Sequence, residues 1–462
     1  MRFFPCFLLL TVAALPVRAG GLTDPFDTEA VAPLRPSPRL AARVGDVPCL
    51  KALPTTALSA LDAVDLALCN HPQTREVWAS ARAQAALFGA AEGAWLPTLN
   101  GSAATTRFDY EVSPYTRNNA ALTLSWLLVD FGQRSASVEN ARQLLIAAAA
   151  TQDATVQTLF LAALQAYHAA QAAQAAVLSA GEAERAARES YQAADARYAV
   201  GVATPADRLQ AQTALSQATL NRIRAEGDAR NALGVLANAM GFAAQQPLTL
   251  APLPAAPAEA AFLKEVDGLI AEAQARRPDL QAAEAQLKAA QAGIDAVRAQ
   301  GMPTMALSAG PTWQDSAGII ARGNTIGLTL NVPIFTGFDV TYRVRAAEAQ
   351  ADVRAAQRDR LRNQVALDVW KAYQSLTTAT QSLRTTADLV ASAEQSERVA
   401  LGRYKAGVGT ILDVLSAQSA LAGARLQRIQ AQLDWHVYRA TLAQAMGALD
   451  DTLLRPAAQE RP

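Results

Sequence analysis

The residues best placed to do chemistry stand at two turns. Tyr198, Gly201, Thr204 and Asp207 recur in order and spacing as Tyr404, Gly407, Thr410 and Asp413, so an aromatic hydroxyl, a glycine, a hydroxyl and a carboxylate hold matched places. Carboxylates gathered on one axis raise each other's pKa and attract cations. An Asp three residues after a Thr can equally cap a helix N-terminus, where negative charge is favourable. Both readings of Asp207 and Asp413 stand on the sequence. Other chemistry is thin. His71, His168 and His436 share no metal-ligand spacing and read as structural histidines. There is no phosphate-cradling glycine loop, nucleophile elbow or Cys-x-x-Cys. The expectation is no catalytic residue, no metal and no cofactor: a protein that is not an enzyme.

The charge balance also excludes a basic nucleic-acid binder, since the 462 residues carry 41 Lys+Arg against 41 Asp+Glu. The 51% hydrophobic share is carried largely by alanine, as in Ala147-Ala148-Ala149-Ala150, which favours long helices over a thick core. Arg2, the apolar run Phe3 to Leu15 and Val17-Arg18-Ala19 before Gly20 read as a signal peptide at 1–19. No transmembrane helix is expected in the mature chain. Cys6 leaves with the signal, and Cys49 and Cys69 remain as an even pair in an oxidising compartment, expected to form a disulfide. Neither follows the cleavage site, so no lipid anchor is indicated.

The elements that position the two turns are one unit written twice. Pro72 and Pro278, Pro97 and Pro303, Tyr198 and Tyr404, and Met240-Gly241 and Met446-Gly447 all stand 206 residues apart. Each copy opens on a helix start, at Asn70-His71-Pro72 or Arg277-Pro278-Asp279. Two strands follow. Thr98 to Arg107 and Thr304 to Trp313 come first, then Asn119 to Val129 with Ala120, Leu122, Leu124, Trp126 and Leu128 on one face and Thr123 and Ser125 on the other. The second copy repeats the alternation with Ile326, Leu328, Leu330 and Val332 against Thr325, Thr329 and Asn331.

A helix from about Ser135 to Tyr198 spans roughly 96 Å at 1.5 Å per residue. Its seam Leu159, Ala163, Ala166, Ala170, Ala173 and Val177 steps by four and three, the coiled-coil period. After the turns at Gly201 and Gly407, return helices run to about Met240 and Met446. A return helix stacked on a pre-strand helix could lie antiparallel along the long one. The sequence divides into the signal (1–19), an N-terminal segment (20–58), a first repeat (59–246), a linker (247–264), a second repeat (265–447) and a tail (448–462). The proline-rich stretches 22–58 and 247–257 are expected as ordered loops or small elements at the helix waist.

Strands of about ten residues with alternating faces can cross a membrane at a tilt. Four cannot close a barrel and lipid-exposed edges are not tolerated, so the chain must oligomerise; a trimer gives twelve. Trp126 and Trp313 suit an interfacial aromatic girdle, while Trp78, Trp370 and Trp435 read as core or interface.

These residues resemble the TolC family of outer-membrane channel proteins of Gram-negative bacteria over about residues 55–450. The strand exits Trp126 to Arg134 and Val332 to Gly337 are similar to the family's barrel-to-helix junctions, and Arg403 to Gln418 to its periplasmic-tip hairpin. The segment ending in Leu66-Ala67-Leu68-Cys69-Asn70-His71-Pro72 looks most like the branch serving cyclolysin secretion. The resemblance implies a mainly α protein with a membrane β-barrel: a homotrimer with a 12-stranded barrel in outer-membrane lipid and an α-helical periplasmic tunnel. It further implies a membrane-fusion adaptor and an inner-membrane ABC or proton-driven pump as partners, serving type I secretion or efflux. By the same resemblance Tyr404 matches a gate tyrosine, Asp207 the aspartate on the partner hairpin and Asp413 a ring aspartate. Ser416 and Gly409 depart from the family's second ring acid and gate arginine, which implies weaker closure. A hydrogen bond from Tyr404 to Asp207 is therefore expected. The competing function is a structural periplasmic coiled-coil protein with a soluble β-subdomain.

Overall fold

The computed structural model describes residues 24–31, 49–109, 111, 113–251 and 266–449. The expected signal peptide at 1–19, much of 20–58, most of the 247–264 linker and the tail beyond 449 lie outside the described residues.

The repeat is written into the elements. In the first copy α2 (Ala60–Asn70) and α3 (Pro72–Gly93) lead to strands β1 (Thr98–Phe108) and β2 (Tyr115–Val129), then to α4 (Gln133–Ala199) and α5 (Pro205–Ala239); a short α1 (Thr28–Val31) precedes them. The second copy is α6 (Val266–Arg276), α7 (Pro278–Ala299), β3 (Thr304–Ser316), β4 (Ile319–Asn331), α8 (Asp339–Lys405) and α9 (Ile411–Ala445). From α2 onward every helix start and end keeps the 206-residue offset, whereas the first strand runs two residues longer in the second copy and the second strand departs from the offset at both ends. There β1 and β2 are joined by a loop, whereas β3 and β4 meet in a two-residue turn with positive φ at both Ala317 and Gly318.

Both long helices have 67 residues, about 100 Å at 1.5 Å per residue. Along α4 lie α5 and α3, and along α8 lie α9 and α7, so each return helix and pre-strand helix together match one long helix. They meet end to end at the waist. A Cβ placed on Gly241, whose φ is +80°, would stand 2.7 Å from the Asn70 carbonyl, and only glycine accommodates both the turn and the approach. The short helices α2 and α6, not anticipated from the sequence, cover these joints. Val64, Leu68, Val156, Phe160 and Ala440 form one core there, and Leu269, Val365, Val369, Trp435 and Leu442 another. Trp78 and Trp435 are buried, whereas Trp370 is exposed. Within α4 an alanine-rich window is apolar enough to cross a bilayer by length and composition alone. Because α4 is packed along α3, α5, α7 and α9, that composition serves close helix approach.

Cys49 and Cys69 are disulfide-bonded and tie the N-terminal segment to α2. A cross-link over 20 residues is worth roughly 3 kcal/mol of chain entropy. Cys49→Ala with Cys69→Ala should lower stability by that order in thermal melts. Unreduced peptide mapping should find no free thiol at either position; two free thiols would contradict the bond.

Candidate functional site

Two regions carry the functional geometry: the sheet with its exits into the helices, and the tip where α4 turns into α5 and α8 into α9. The four strands form one antiparallel sheet in chain order. Register fixes the two faces. Leu99, Leu124 and Ala309 pair across to Ile326, and Trp126 and Leu307 to Leu328, giving an apolar side. Asn100, Thr123, Ser125, Ser308 and Thr329 stand on the other, which is polar. Ile326, Leu328 and Leu330 are exposed, as a lipid-facing set must be in one isolated protomer. A bulge between Leu127 and Val129 corrects the expected alternation, for Val129 rather than Leu128 pairs with Met305. Pro311 sits in β3 beside a break in the β2–β3 pairing, where no ladder donor is required of it. Gly310 lies so near β2 that a Cβ would meet the Leu122 carbonyl. The outer strands β1 and β4 each leave an edge unpaired.

Each sheet exit takes two residues in the left-handed region, Phe131-Gly132 and Gly337-Phe338. In the first copy a buried ion pair fixes the exit. Arg134 Nε stands 2.8 Å from Asp130 Oδ2, with side chains 6% and 5% exposed. The same guanidinium donates to the carbonyls of Leu127 at 2.6 Å and Leu128 at 3.3 Å, and lies 4.2 Å over the Trp95 ring. Trp126 Nε1 donates to the Trp95 carbonyl at 2.9 Å. Burial opposes ionisation of Asp130, but the Arg134 hydrogen bonds prevail and hold its carboxyl below the usual carboxylate range. The second copy has Thr336 and Val340 in these places.

At the tip, Gly201 and Gly407 take φ of +79° and +76° and end the long helices. Both following helices start with a capping box. Thr204 N–H donates to Asp207 at 2.9 Å while Asp207 N–H donates to Thr204 Oγ1 at 3.2 Å. Thr410 and Asp413 repeat this at 3.1 and 3.2 Å. The Thr410 amide and hydroxyl hold the Asp413 carboxyl below the usual range, with Arg403 adding to the effect. A groove of about 470 Å³ beside it is lined by Ser396, Arg403, Asp413 and Ser416 among others.

The expected bond from Tyr404 to Asp207 is absent within the protomer. Asp207 is engaged by Thr204, and the Tyr404 ring packs with Ala194, Ala211, Ile411 and Val414. Its buried hydroxyl has no partner. What Tyr404 does meet is Arg197, whose Nη2 donates to the Tyr404 carbonyl at 2.7 Å and whose guanidinium lies 4.2 Å over the ring. Sequence reasoning missed Arg197, although the dipeptides Arg197-Tyr198 and Arg403-Tyr404 recur at the repeat offset.

The histidines divide. His71 Nδ1 accepts from Gln73 N–H and caps α3. His168 on α4 and His436 on α9 stack with ring centroids 4.7 Å apart. His168 Nδ1 lies 3.1 Å from Gln171 Oε1, and His436 Nε2 is buried without a partner. Burial, with His168 and Arg439 alongside, pushes the His436 pKa down to about 4. Among the described residues no His, Cys, Asp or Glu cluster could hold a metal.

Comparison with known proteins agrees with this geometry. The family described as "Outer membrane efflux protein" matches residues 63–242 and 269–448, each boundary of the second span lying 206 residues beyond the first. Protein CyaE of Bordetella pertussis is 32% identical over 381 residues, 80% of this chain and 80% of its own. The alkaline protease secretion protein AprF of Pseudomonas aeruginosa is 26% identical over 420 residues, 86% and 85% of the two chains. The solved outer-membrane channel OprN superposes with a TM-score of 0.76 at 21% identity, over 91% of this chain and 95% of that one.

Proposed function

Because the chain belongs to the outer membrane efflux protein family, we propose that it is the exit duct of an export assembly, passing substrates from periplasm to exterior without chemistry. It sits in the outer membrane with most of its length in the periplasm. The observation that carries this reading is the four-stranded sheet, apolar on one face and polar on the other, with both edges open and both exits running into helices of about 100 Å. Open edges cannot face lipid, and three such sheets supply the twelve strands of a barrel wide enough for water. A periplasmic adaptor and an inner-membrane pump supply the cargo, and the pump selects it. Members of this family are channel and transport proteins.

Detergent dependence tests the proposal. The protein should leave membranes only in detergent and scatter light as a trimer. Extraction as a folded monomer into plain buffer would overturn it in favour of a structural coiled-coil protein.

The tip is the proposed gate, with Tyr404, Asp207, Asp413, Gly201, Thr204, Gly407 and Thr410 as its residues. In this reading closure rests on the two capping boxes and on Arg197 more than on the Tyr404 hydroxyl, which has no partner within the protomer. Tyr404→Phe alone should leave single-channel conductance unchanged. Asp207→Ala, which opens the capping box by taking the acceptor from the Thr204 N–H, should raise it. Asp413→Ala should weaken block by divalent cations. Equal conductance in wild type and Asp207→Ala would place the constriction elsewhere.

A further inference from the structure

Inside one protomer a seam joins the two repeats, where α4 of the first packs along α9 of the second and meets the end of α8 at the tip. Apart from the Arg425–Glu182 ion pair at 2.6 Å, whose repeat counterparts Thr219 and Asp388 are of other types, two polar contacts sew its lower half. One is Arg197 on the carbonyl and ring of Tyr404. The other pairs Ser190 with Gln418, whose Nε2 donates to Ser190 Oγ at 3.0 Å. Moving each residue by the repeat offset gives the same residue types with the copies exchanged: Arg403, Tyr198, Ser396 and Gln212.

These four counterparts are all exposed. Tyr198 is 38% exposed where Tyr404 is 6%. Among the described residues, the side chains of Arg403, Ser396 and Gln212 make no hydrogen bond or salt bridge, and the Arg403 guanidinium acts on Asp413 only through its charge. The Tyr198 carbonyl accepts from Gly201 N–H at 3.0 Å as the Tyr404 carbonyl accepts from Gly407 N–H at 3.1 Å. That leaves on Tyr198 the same second lone pair that Arg197 takes on Tyr404. Arg208 stands 5.5 Å from the Tyr198 ring, and a ring has two faces. Within the chain the counterparts cannot meet, because the one seam between repeats is already filled by the first set.

We infer that the seam between protomers copies the seam within one: Arg403 clasps the carbonyl and ring of the partner subunit's Tyr198, and Ser396 pairs with the partner subunit's Gln212. The partner is a second copy of this chain, and the inference rests on the trimeric duct proposed above. A head-to-tail contact repeated by one rotation closes into a ring. Six Arg-on-Tyr clasps then circle the tip, three inside protomers and three between them. The tip is then held by the same Arg-on-Tyr chemistry at every step, while the Arg425–Glu182 pair stays confined to the seam inside each subunit.

Cross-linking separates the two kinds of seam. Detergent-solubilised full-length protein carrying Tyr198→Cys and Arg403→Cys, treated with a short bismaleimide, should give covalent dimers and trimers on a denaturing gel. Arg197→Cys with Tyr404→Cys should react but stay at monomer mass, with the link found by peptide mapping. Absence of dimers from the first pair, in protein that scatters as a trimer, would overturn the inference and leave the duct reading standing. Failure of the second pair to react would overturn its template, and a monomer in detergent would overturn both readings. Because Tyr404 lies in the tip core, a second measurement avoids altering it. Arg197→Ala and Arg403→Ala each remove three of six clasps, so each should raise single-channel conductance by the same factor. A rise with Arg197→Ala alone would contradict the copied seam.

Discussion

Replacing Arg134 with alanine should cost about 3–5 kcal/mol, the range for stripping one partner from a buried ion pair. The Asp130 carboxylate would remain 5% exposed with its counter-charge gone, and the carbonyls of Leu127 and Leu128 would lose their donor where the sheet becomes a helix. The cost arises from the orphaned charge more than from the lost attraction. Asp130→Leu combined with Arg134→Met should therefore recover much of it. Denaturant melts of detergent-solubilised protein measure this. A loss below about 1 kcal/mol for Arg134→Ala would mean that water reaches the junction.

Acid should weaken the waist. His436 is held to a pKa of about 4, against about 6.5 in an unfolded chain, because burial beside His168 and Arg439 penalises its charged form. The depressed value means that the unfolded chain binds the extra proton first. Stability is whole above about pH 6.5, falls as pH drops, and stops falling near pH 4, with a total loss of about 3 kcal/mol from this group. His168, also depressed chiefly by burial, adds to the loss. His436→Gln should flatten the melting temperature over that window, read by circular dichroism of the helices. An unchanged slope would show that other groups carry the acid sensitivity.

The fold was legible because its signals are periodic. Two copies at one offset, strands alternating Leu122, Leu124 and Trp126 with Thr123 and Ser125, and a 3.5-residue alanine seam each state their geometry locally. The tip was legible in part. Thr204-to-Asp207 and Thr410-to-Asp413 read as caps, and the structure closes both boxes. What stayed hidden depends on contacts between distant segments. Asp130 and Arg134 have the spacing of an ordinary exposed helix pair, and only Trp95 and the strand carbonyls make them a buried node. His168 and His436 are not repeat mates and meet only because α4 packs on α9. Tyr404 was aimed at Asp207, yet its ring fills the tip core and Arg197 takes its carbonyl.

Single-channel recording in planar bilayers tests the duct most directly. Purified trimers should insert and give current steps of one uniform size, larger when Arg197 is replaced by alanine. Bilayers that stay silent with both proteins, added as trimers verified by light scattering, would contradict a membrane-spanning duct.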